Sequence, residues 1–239
     1  MSLPMVISAT VFGGAASAFL PLVAHRLAVP SGVPPRSSCA DCGTPYPDGP
    51  DGWVCAGPPC NRPASFRAGL GPWCTIATGA TASGLLGASI GATPLLPVLL
   101  LAVVLGVLLA VIDMRCLRLP DPLVAALALL TVPVLAALGG PEPIVRGVLA
   151  AGLSFLAYAM IAILPRGGLG FGDVKLAAVL GFVLGFLGWP TLLLGVLLPH
   201  LINGPIALFL LGKGRVGRRS ALPLGPALLT GALLAIVLT

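Results

Sequence analysis

Long apolar runs divide most of this chain into segments of the length that crosses a membrane. A helix needs about 20 apolar residues to span the hydrocarbon core, and repeated runs of that length fit helical spans better than barrel strands. The pattern therefore predicts an all-α polytopic membrane protein. It contains eight candidate transmembrane helices, at residues 3–24, 74–92, 95–112, 122–139, 144–164, 174–189, 191–211 and 222–239.

Composition agrees with this pattern and suggests a division of the chain. Hydrophobic residues make up 57% and charged residues 8%, whereas a soluble domain carries about 25% charged residues. No basic residue precedes the first apolar run, so we interpret residues 1–24 as a retained membrane helix rather than a signal peptide. Residues 25–73 form a polar loop rich in cysteine, and residues 74–239 form the membrane core.

The basic residues predict an orientation in the membrane. If all eight spans cross, every one of the 13 lysines and arginines except Arg146 lies on one side or at its boundary. The positive-inside rule makes that side cytoplasmic, with both termini outside. The basic residues form no single face and aromatic residues are few, so nucleic acid is not a predicted partner. The lipid bilayer is a predicted partner.

Among the seven acidic residues, Asp113 and Asp173 are the candidates for a shared site, and each stands at the edge of an apolar span. Asp113 follows the third span and Asp173 precedes the sixth, and the predicted orientation puts both on the cytoplasmic face. A carboxylate at the membrane is costly to desolvate and is a functional candidate by default. Two neighbouring carboxyl groups titrate as a unit. The charged one can activate water while the neutral one donates a proton, which is the chemistry of peptide hydrolysis without a covalent intermediate.

The residues around Asp173 favour a site that binds extended peptide. Gly170 and Gly172 allow another backbone to approach closely and permit positive φ. Lys175 either shifts the pKa of the acid pair or marks the basic boundary of the span, and we favour the second interpretation.

Structural roles are the alternative for each acid. Asp173 would then be the N-cap of a helix that begins at Val174, and Asp113 would pair with Arg115 or Arg118. The remaining acids of the apolar region, Asp121 and Glu142, are interpreted as a helix cap and a loop residue.

Three motifs carry a resemblance to a known family. They are the segment from Asp113 to Pro120, the segment Gly170-Phe-Gly-Asp-Val-Lys-Leu176, and the segment Leu222-Pro-Leu-Gly-Pro226, in which Leu replaces the usual Phe. Over roughly residues 95–239 their order and spacing resemble the type IV prepilin peptidases, bacterial membrane aspartyl proteases of the Gly-x-Gly-Asp group.

That resemblance implies a function and its location. Asp113 and Asp173 would be the catalytic pair, with Gly170, Gly172 and Lys175 in supporting positions. The substrate would be a prepilin or pseudopilin, cut after its basic leader at the cytoplasmic face of the bacterial inner membrane. The resemblance names neither the pilin or secretion system served nor an oligomeric state.

Four of the six cysteines lie in the polar loop. Cys39 and Cys42 are separated by two residues, and Cys55 and Cys60 by four. On a reducing cytoplasmic face, paired cysteines favour a structural zinc site over disulfides. Family members often carry two Cys-x-x-Cys pairs here, and the wider second pair departs from that pattern. Free thiols are the alternative.

Many relatives also methylate the new pilin N-terminus, with S-adenosylmethionine as the methyl donor. After Cys60 this chain lacks the acidic residue expected from the family's Tyr-Pro-x-x-Glu stretch. The sequence therefore favours cleavage without methylation, and S-adenosylmethionine is a predicted cofactor only if that activity is retained.

Two other functions are compatible with membrane acids. A small transporter would use them to bind an ion or a proton, but we find no internal repeat, and both acids lie at one boundary. A non-catalytic pilus assembly factor is the second alternative, and it would tolerate the loss of one acid.

Overall fold

The computed structural model describes residues 3–29, 33–38, 44–45, 72–164, 169–213 and 223–239. These ranges contain nine α-helices: α1 (Leu3–Ser17), α2 (Leu20–Leu27), α3 (Pro72–Ile90), α4 (Leu96–Cys116), α5 (Asp121–Leu138), α6 (Pro141–Ile163), α7 (Phe171–Leu187), α8 (Trp189–Gly212) and α9 (Gly225–Leu238). The prediction of an all-α fold is confirmed for the part of the chain that is described.

The predicted count of eight spans is not confirmed. The first span is interrupted at residues 18–19, between α1 and α2. Within the described ranges, five stretches are long and apolar enough to cross a membrane. They are Leu3–Leu27, Leu96–Cys116, Asp121–Leu138, Pro141–Ile163 and Trp189–Phe209.

Small residues let α1 and α3 pack with their backbones close together. A Cβ atom at Gly79 would lie 2.6 Å from the carbonyl oxygen of Gly13, and one at Gly87 would lie 2.9 Å from the Cβ of Ala9. Close packing through small residues is typical of helices in membranes, where lipid is as apolar as a leucine side chain. The composition of α3 is thus explained by its contact with α1.

The pair formed by α6 and α7 uses the same device. Gly181 on α7 faces Ser154 and the carbonyl oxygen of Ala150, which would be 2.9 Å from an added Cβ. One turn further along α7, Gly185 faces the carbonyl oxygen of Arg146 at 3.1 Å. This contact fixes α7, which begins with Asp173 in its first turn, against the long helix α6.

Arg146 secures the other end of α7. Its guanidinium donates to the carbonyl oxygens of Gly185 at 2.6 Å and Phe186 at 2.8 Å, groups that a helix C-terminus leaves without helical partners. It also pairs with Glu142 at 2.9 Å. Glu142 lies in the first turn of α6, so its interpretation as a loop residue is wrong. Arg146 therefore lies at the end of α7 opposite to Asp173.

Helices α8 and α9 pack against each other and position the start of α9. Gly231 on α9 receives Pro199 of α8, whose ring nitrogen would be 3.0 Å from an added Cβ. Near the end of this contact, the amide of Asn203 donates to the carbonyl oxygen of Pro223 at 3.4 Å. The first residues of α9 are thereby held beside the end of α4.

Candidate active site

Four helix ends meet at one end of the bundle. The side chain of Asp113, near the end of α4, contacts Gly225 at the start of α9. Gly172, at the start of α7, lies against Leu119 in the link between α4 and α5. Lys175 of α7 reaches Asp121 at the start of α5. These contacts bring the three sequence motifs together, although they are far apart along the chain.

Asp113 is buried and is held by a backbone donor. The residue is 3% exposed, and its Oδ2 accepts a hydrogen bond of 2.9 Å from the backbone N–H of Gly225. The N–H groups of a first helical turn have no helical acceptor, and the positive end of the helix dipole favours a carboxylate there. Arg115 and Arg118 form no ion pair with Asp113, so the alternative role in such a pair is wrong.

Gly225 leaves just enough room for this carboxylate. A Cβ atom at this position would lie 2.9 Å from Oδ2 and 3.2 Å from Cγ of Asp113. The motif Leu222–Pro226 therefore supplies both the donor and the space. The sequence pointed to this motif through the family resemblance but assigned no role to Gly225.

Asp173 is the third residue of α7, because the helix begins at Phe171 and Gly170 is its N-cap residue. The alternative that Asp173 caps a helix starting at Val174 is therefore wrong. Its Oδ1 atom is buried and has no hydrogen-bond partner in the described structure. Burial, and after it the negative charge of Asp113, raise the pKa of Asp173 to about 6, while a backbone hydrogen bond with Gly170 acts in the opposite direction. The two aspartates thus lie close enough to influence each other's ionisation.

The two glycines pack the site rather than adopt unusual backbone angles. Gly170 has a φ of −68°, and Gly172 is not among the residues with positive φ, so neither glycine uses the positive φ that it permits. A Cβ at Gly172 would lie 3.0 Å from the Cβ and 3.2 Å from the carbonyl oxygen of Leu119. The close approach that was predicted for a substrate is made here by the chain's own backbone.

Leu117 gives the link after α4 its direction. It is the C-cap residue, has a left-handed conformation with φ of 52°, and donates its N–H to the carbonyl oxygen of Asp113 at 2.8 Å. A non-glycine residue in this region is uncommon. The turn brings Leu119 under Gly172 and so places the end of α4 beside the start of α7.

Lys175 pairs with Asp121 rather than with the two candidate catalytic acids. The ammonium nitrogen lies 2.8 Å from Oδ2 of Asp121, and both side chains are largely exposed. Asp121 makes this ion pair and no capping hydrogen bond, so its interpretation as a helix cap is wrong. The pair links the first turns of α5 and α7, which agrees with Lys175 as a boundary residue.

The remaining candidate groups do not form another reactive arrangement in the part described. The thiol of Cys116 donates to the carbonyl oxygen of Ile112 at 3.2 Å. Among the described residues no group of His, Cys, Asp and Glu is arranged to hold a metal ion. Cys39, Cys42, Cys55 and Cys60 lie outside the described residues, and the zinc site stays a prediction.

Comparisons with known proteins agree with the motifs. Residues 99–210 match the type IV leader peptidase family. The prepilin leader peptidase/N-methyltransferase of Bacillus subtilis (strain 168) is 39% identical to the chain over 89 residues, which are 37% of this chain and 35% of that protein. The match thus spans about a third of the relative. No solved structure matches the chain. The predicted resemblance is confirmed, and the matching range contains both Asp113 and Asp173.

Proposed function

We propose that this chain, which matches the type IV leader peptidase family over residues 99–210, is a membrane aspartic endopeptidase. It removes the leader from prepilin-like precursors at the cytoplasmic face of the bacterial plasma membrane. The observation that carries the proposal is that the end of α4, which bears Asp113, and the start of α7, which bears Asp173, lie together at one end of the helix bundle. The relative's printed name supports the substrate class.

The surroundings of the two acids assign them different roles. Asp113 accepts the N–H of Gly225, and a donor of this kind favours a charged carboxylate. Asp173 has a buried oxygen without a partner, which favours a neutral carboxyl group. We therefore assign Asp113 as the general base and Asp173 as the general acid.

The reaction needs one water molecule and no covalent intermediate. Asp113 takes a proton from water, and the resulting hydroxide attacks the carbonyl carbon of the scissile peptide bond. Asp173 gives its proton to the carbonyl oxygen as the tetrahedral intermediate forms. When the intermediate collapses, the C–N bond breaks and the proton held by Asp113 passes to the leaving nitrogen. Asp173 regains its proton from the same intermediate, and both acids return to their starting states.

The distribution of charge supports the cytoplasmic face. Lys175, Arg115 and Arg118 lie near the end of the bundle that holds the two acids, whereas Arg146 lies at the opposite end of α7. An excess of basic residues at one end is typical of the cytoplasmic side. Acids at a helix end also favour a protease over a transporter, whose binding site typically lies near the bilayer midplane.

Co-expression with a candidate precursor tests the proposal. Bacteria that lack their own leader peptidase would produce the chain together with a tagged prepilin. Mass spectrometry of the product would locate the cut and detect a methyl group on the new N-terminus. We expect cleavage between the basic leader and the apolar segment, without methylation. An intact precursor beside folded chain, across several prepilins, would contradict the proposed function, and ion flux into proteoliposomes would favour transport.

A further inference from the structure

A cavity of about 220 Å³ runs through the bundle beside the end of α4 that bears Asp113. Residues of α3, α4, α5, α7 and α9 line it. On α4 the lining residues recur at intervals of three and four from Leu99 to Met114, so they form one face of the helix. With a rise of 1.5 Å per residue, that face is about 22 Å long. Lining residues spread over that length describe an elongated groove rather than a round chamber.

The groove is apolar along its length. No charged side chain is among its described lining residues, and its polar members are threonines and one cysteine. The hydroxyl of Thr78 donates to the carbonyl oxygen of Cys74 at 2.7 Å, and that of Thr131 to the carbonyl oxygen of Leu127 at 2.8 Å. These hydroxyls already have partners within their own helices. The groove therefore suits apolar side chains.

One end of the groove lies beside Asp113. Ala110 and Met114, which flank Asp113 on α4, line this end, as does Pro226, which follows the Gly225 that binds Asp113. The other end is lined by Leu86, Leu99 and Ile236. The groove thus leads from the place of the proposed hydrolysis into the depth of the bundle.

We propose that this groove binds the apolar segment that follows the scissile bond of the precursor, by accepting side chains from one face of that segment. The inference rests on the proposed function and adds the site that selects a membrane-anchored substrate. A peptide cut between Asp113 and Asp173 must place its next residues near that end, and the groove continues from there for a length comparable to most of a membrane span. A lipid acyl chain is the competing occupant, but it would have no reason to begin at the two acids.

A larger side chain in the groove should weaken binding of the apolar segment without changing the chemistry at the two acids. Ala102 lines it some 11 residues before Asp113, about 16 Å away along α4. Ala102→Leu places extra methyl groups in the groove without touching the acids. Ala125→Leu, on the exposed face of α5 and outside the groove, is the matched control. Each purified variant receives two substrates, a full precursor and a soluble peptide that contains the scissile bond but ends soon after it, so that it lacks most of the apolar segment.

The expected result is selective. Ala102→Leu should lower kcat/KM for the full precursor about tenfold or more, as an obstructed apolar pocket does, and should cleave the truncated peptide at the wild-type rate. Ala125→Leu should cleave both like wild type. Cleavage of the full precursor by Ala102→Leu at the wild-type rate would overturn the inference, and so would equal losses on both substrates. If wild type cleaves neither substrate, the proposed function itself fails.

Cross-linking identifies the occupant directly. A benzophenone-bearing residue would replace Thr230, which lines the groove on α9, in the Asp173→Asn background so that substrate is not turned over. Irradiation in membranes containing the precursor should join the two proteins through the precursor's apolar segment, and Ala102→Leu should reduce the yield. Cross-links to lipid alone would overturn the inference.

Discussion

At the scale of single residues, Asp113 depends on a partner 112 positions away in the sequence. The backbone N–H of Gly225 binds its carboxylate, and the missing side chain of Gly225 leaves the space that this carboxylate occupies. On the other side of the site, the missing side chain of Gly172 likewise leaves space for Leu119. The geometry of the acid pair is therefore set largely by two glycines that carry no chemistry of their own.

Gly225→Ala should impair catalysis more than folding. The added methyl group would lie within 3.0 Å of Asp113 Oδ2, so the carboxylate must move. We expect kcat to fall by about 10²-fold, a cost typical of an active-site group displaced by roughly 1 Å, while the thermal midpoint changes little. Gly204→Ala in α8, where an added Cβ meets nothing within 4 Å, is the control. Wild-type kcat for Gly225→Ala would contradict the role given to this contact.

The pKa of Asp173 predicts the alkaline limb of the pH profile. As a general acid, Asp173 must be protonated, and its pKa is raised to about 6. Cleavage should therefore decline as the pH rises through about 6. Because the charge of Asp113 contributes to the rise, Asp113→Asn should lower the pKa of Asp173. NMR with ¹³C-labelled aspartate carboxyl groups can follow this titration. An unchanged or higher pKa for Asp173 in this variant would contradict the proximity of the pair.

The sequence identified both acids but not what holds them. The cost of a carboxylate at a membrane edge applies to Asp113 and Asp173 whatever their neighbours are, so it can be argued from position alone. The hydrogen bond from Gly225, the left-handed Leu117 and the pairing of Lys175 with Asp121 depend on contacts between distant segments. No local pattern reports such contacts, and local roles proposed for Asp121 and Asp173 were wrong for that reason.

At the scale of elements, the packing of α7 against α6 fixes the position of Asp173. Gly181 and Gly185 bring α7 against α6, and Arg146 holds its far end by two carbonyl oxygens. With α7 held in this way along its length and at its C-terminal end, its first turn lies beside α4 and α9. The placement of Asp173 therefore depends on packing along the whole length of α7.

Gly181→Ala should destabilise the protein. The new methyl group would lie 2.9 Å from the backbone carbonyl oxygen of Ala150 and 2.8 Å from the Cβ of Ser154, neither of which can rotate away. Overpacking of this kind costs about 1–3 kcal/mol. Thermal unfolding in detergent should show a lowered midpoint, whereas Gly152→Ala, in open space on the partner helix α6, should not. Equal midpoints for the two variants would contradict this account of the packing.

Helix positions were predictable, while their interruptions were not. Each predicted span contains a helix, because apolar runs of this length have few alternatives in a membrane. The break between α1 and α2 falls inside one continuous apolar run, where hydrophobicity carries no signal. Helix α7 likewise starts before its apolar run, at Phe171 instead of Val174, and Gly172 in its first turn packs on Leu119.

At the scale of the whole molecule, the chain combines an apolar bundle with a polar loop of different composition. The bundle places three motifs at one end, and the match to the leader peptidase family covers much of it. Within this loop, Cys39, Cys42, Cys55 and Cys60 lie outside the described residues. Its cysteines were interpreted from spacing and predicted compartment alone, so their zinc site remains a prediction.

Metal analysis tests whether the polar loop binds zinc. The purified chain should contain about one zinc ion per molecule, as a four-cysteine structural site requires, and Cys39→Ser should lose it. Cys116→Ser, which changes a cysteine of α4 whose thiol contacts Ile112, should retain it. Equal zinc content in wild type and Cys39→Ser would remove the site.

The central claim is that Asp113 and Asp173 act together, and the most direct measurement is single-turnover cleavage by purified variants. Asp113→Asn and Asp173→Asn should each lose at least about 10³-fold in rate, and the double variant should be no slower than either, because residues that act as a unit are not additive. Asp121→Asn, which removes only the exposed pair with Lys175, should cleave like wild type. Normal cleavage by folded Asp113→Asn or Asp173→Asn would contradict the account.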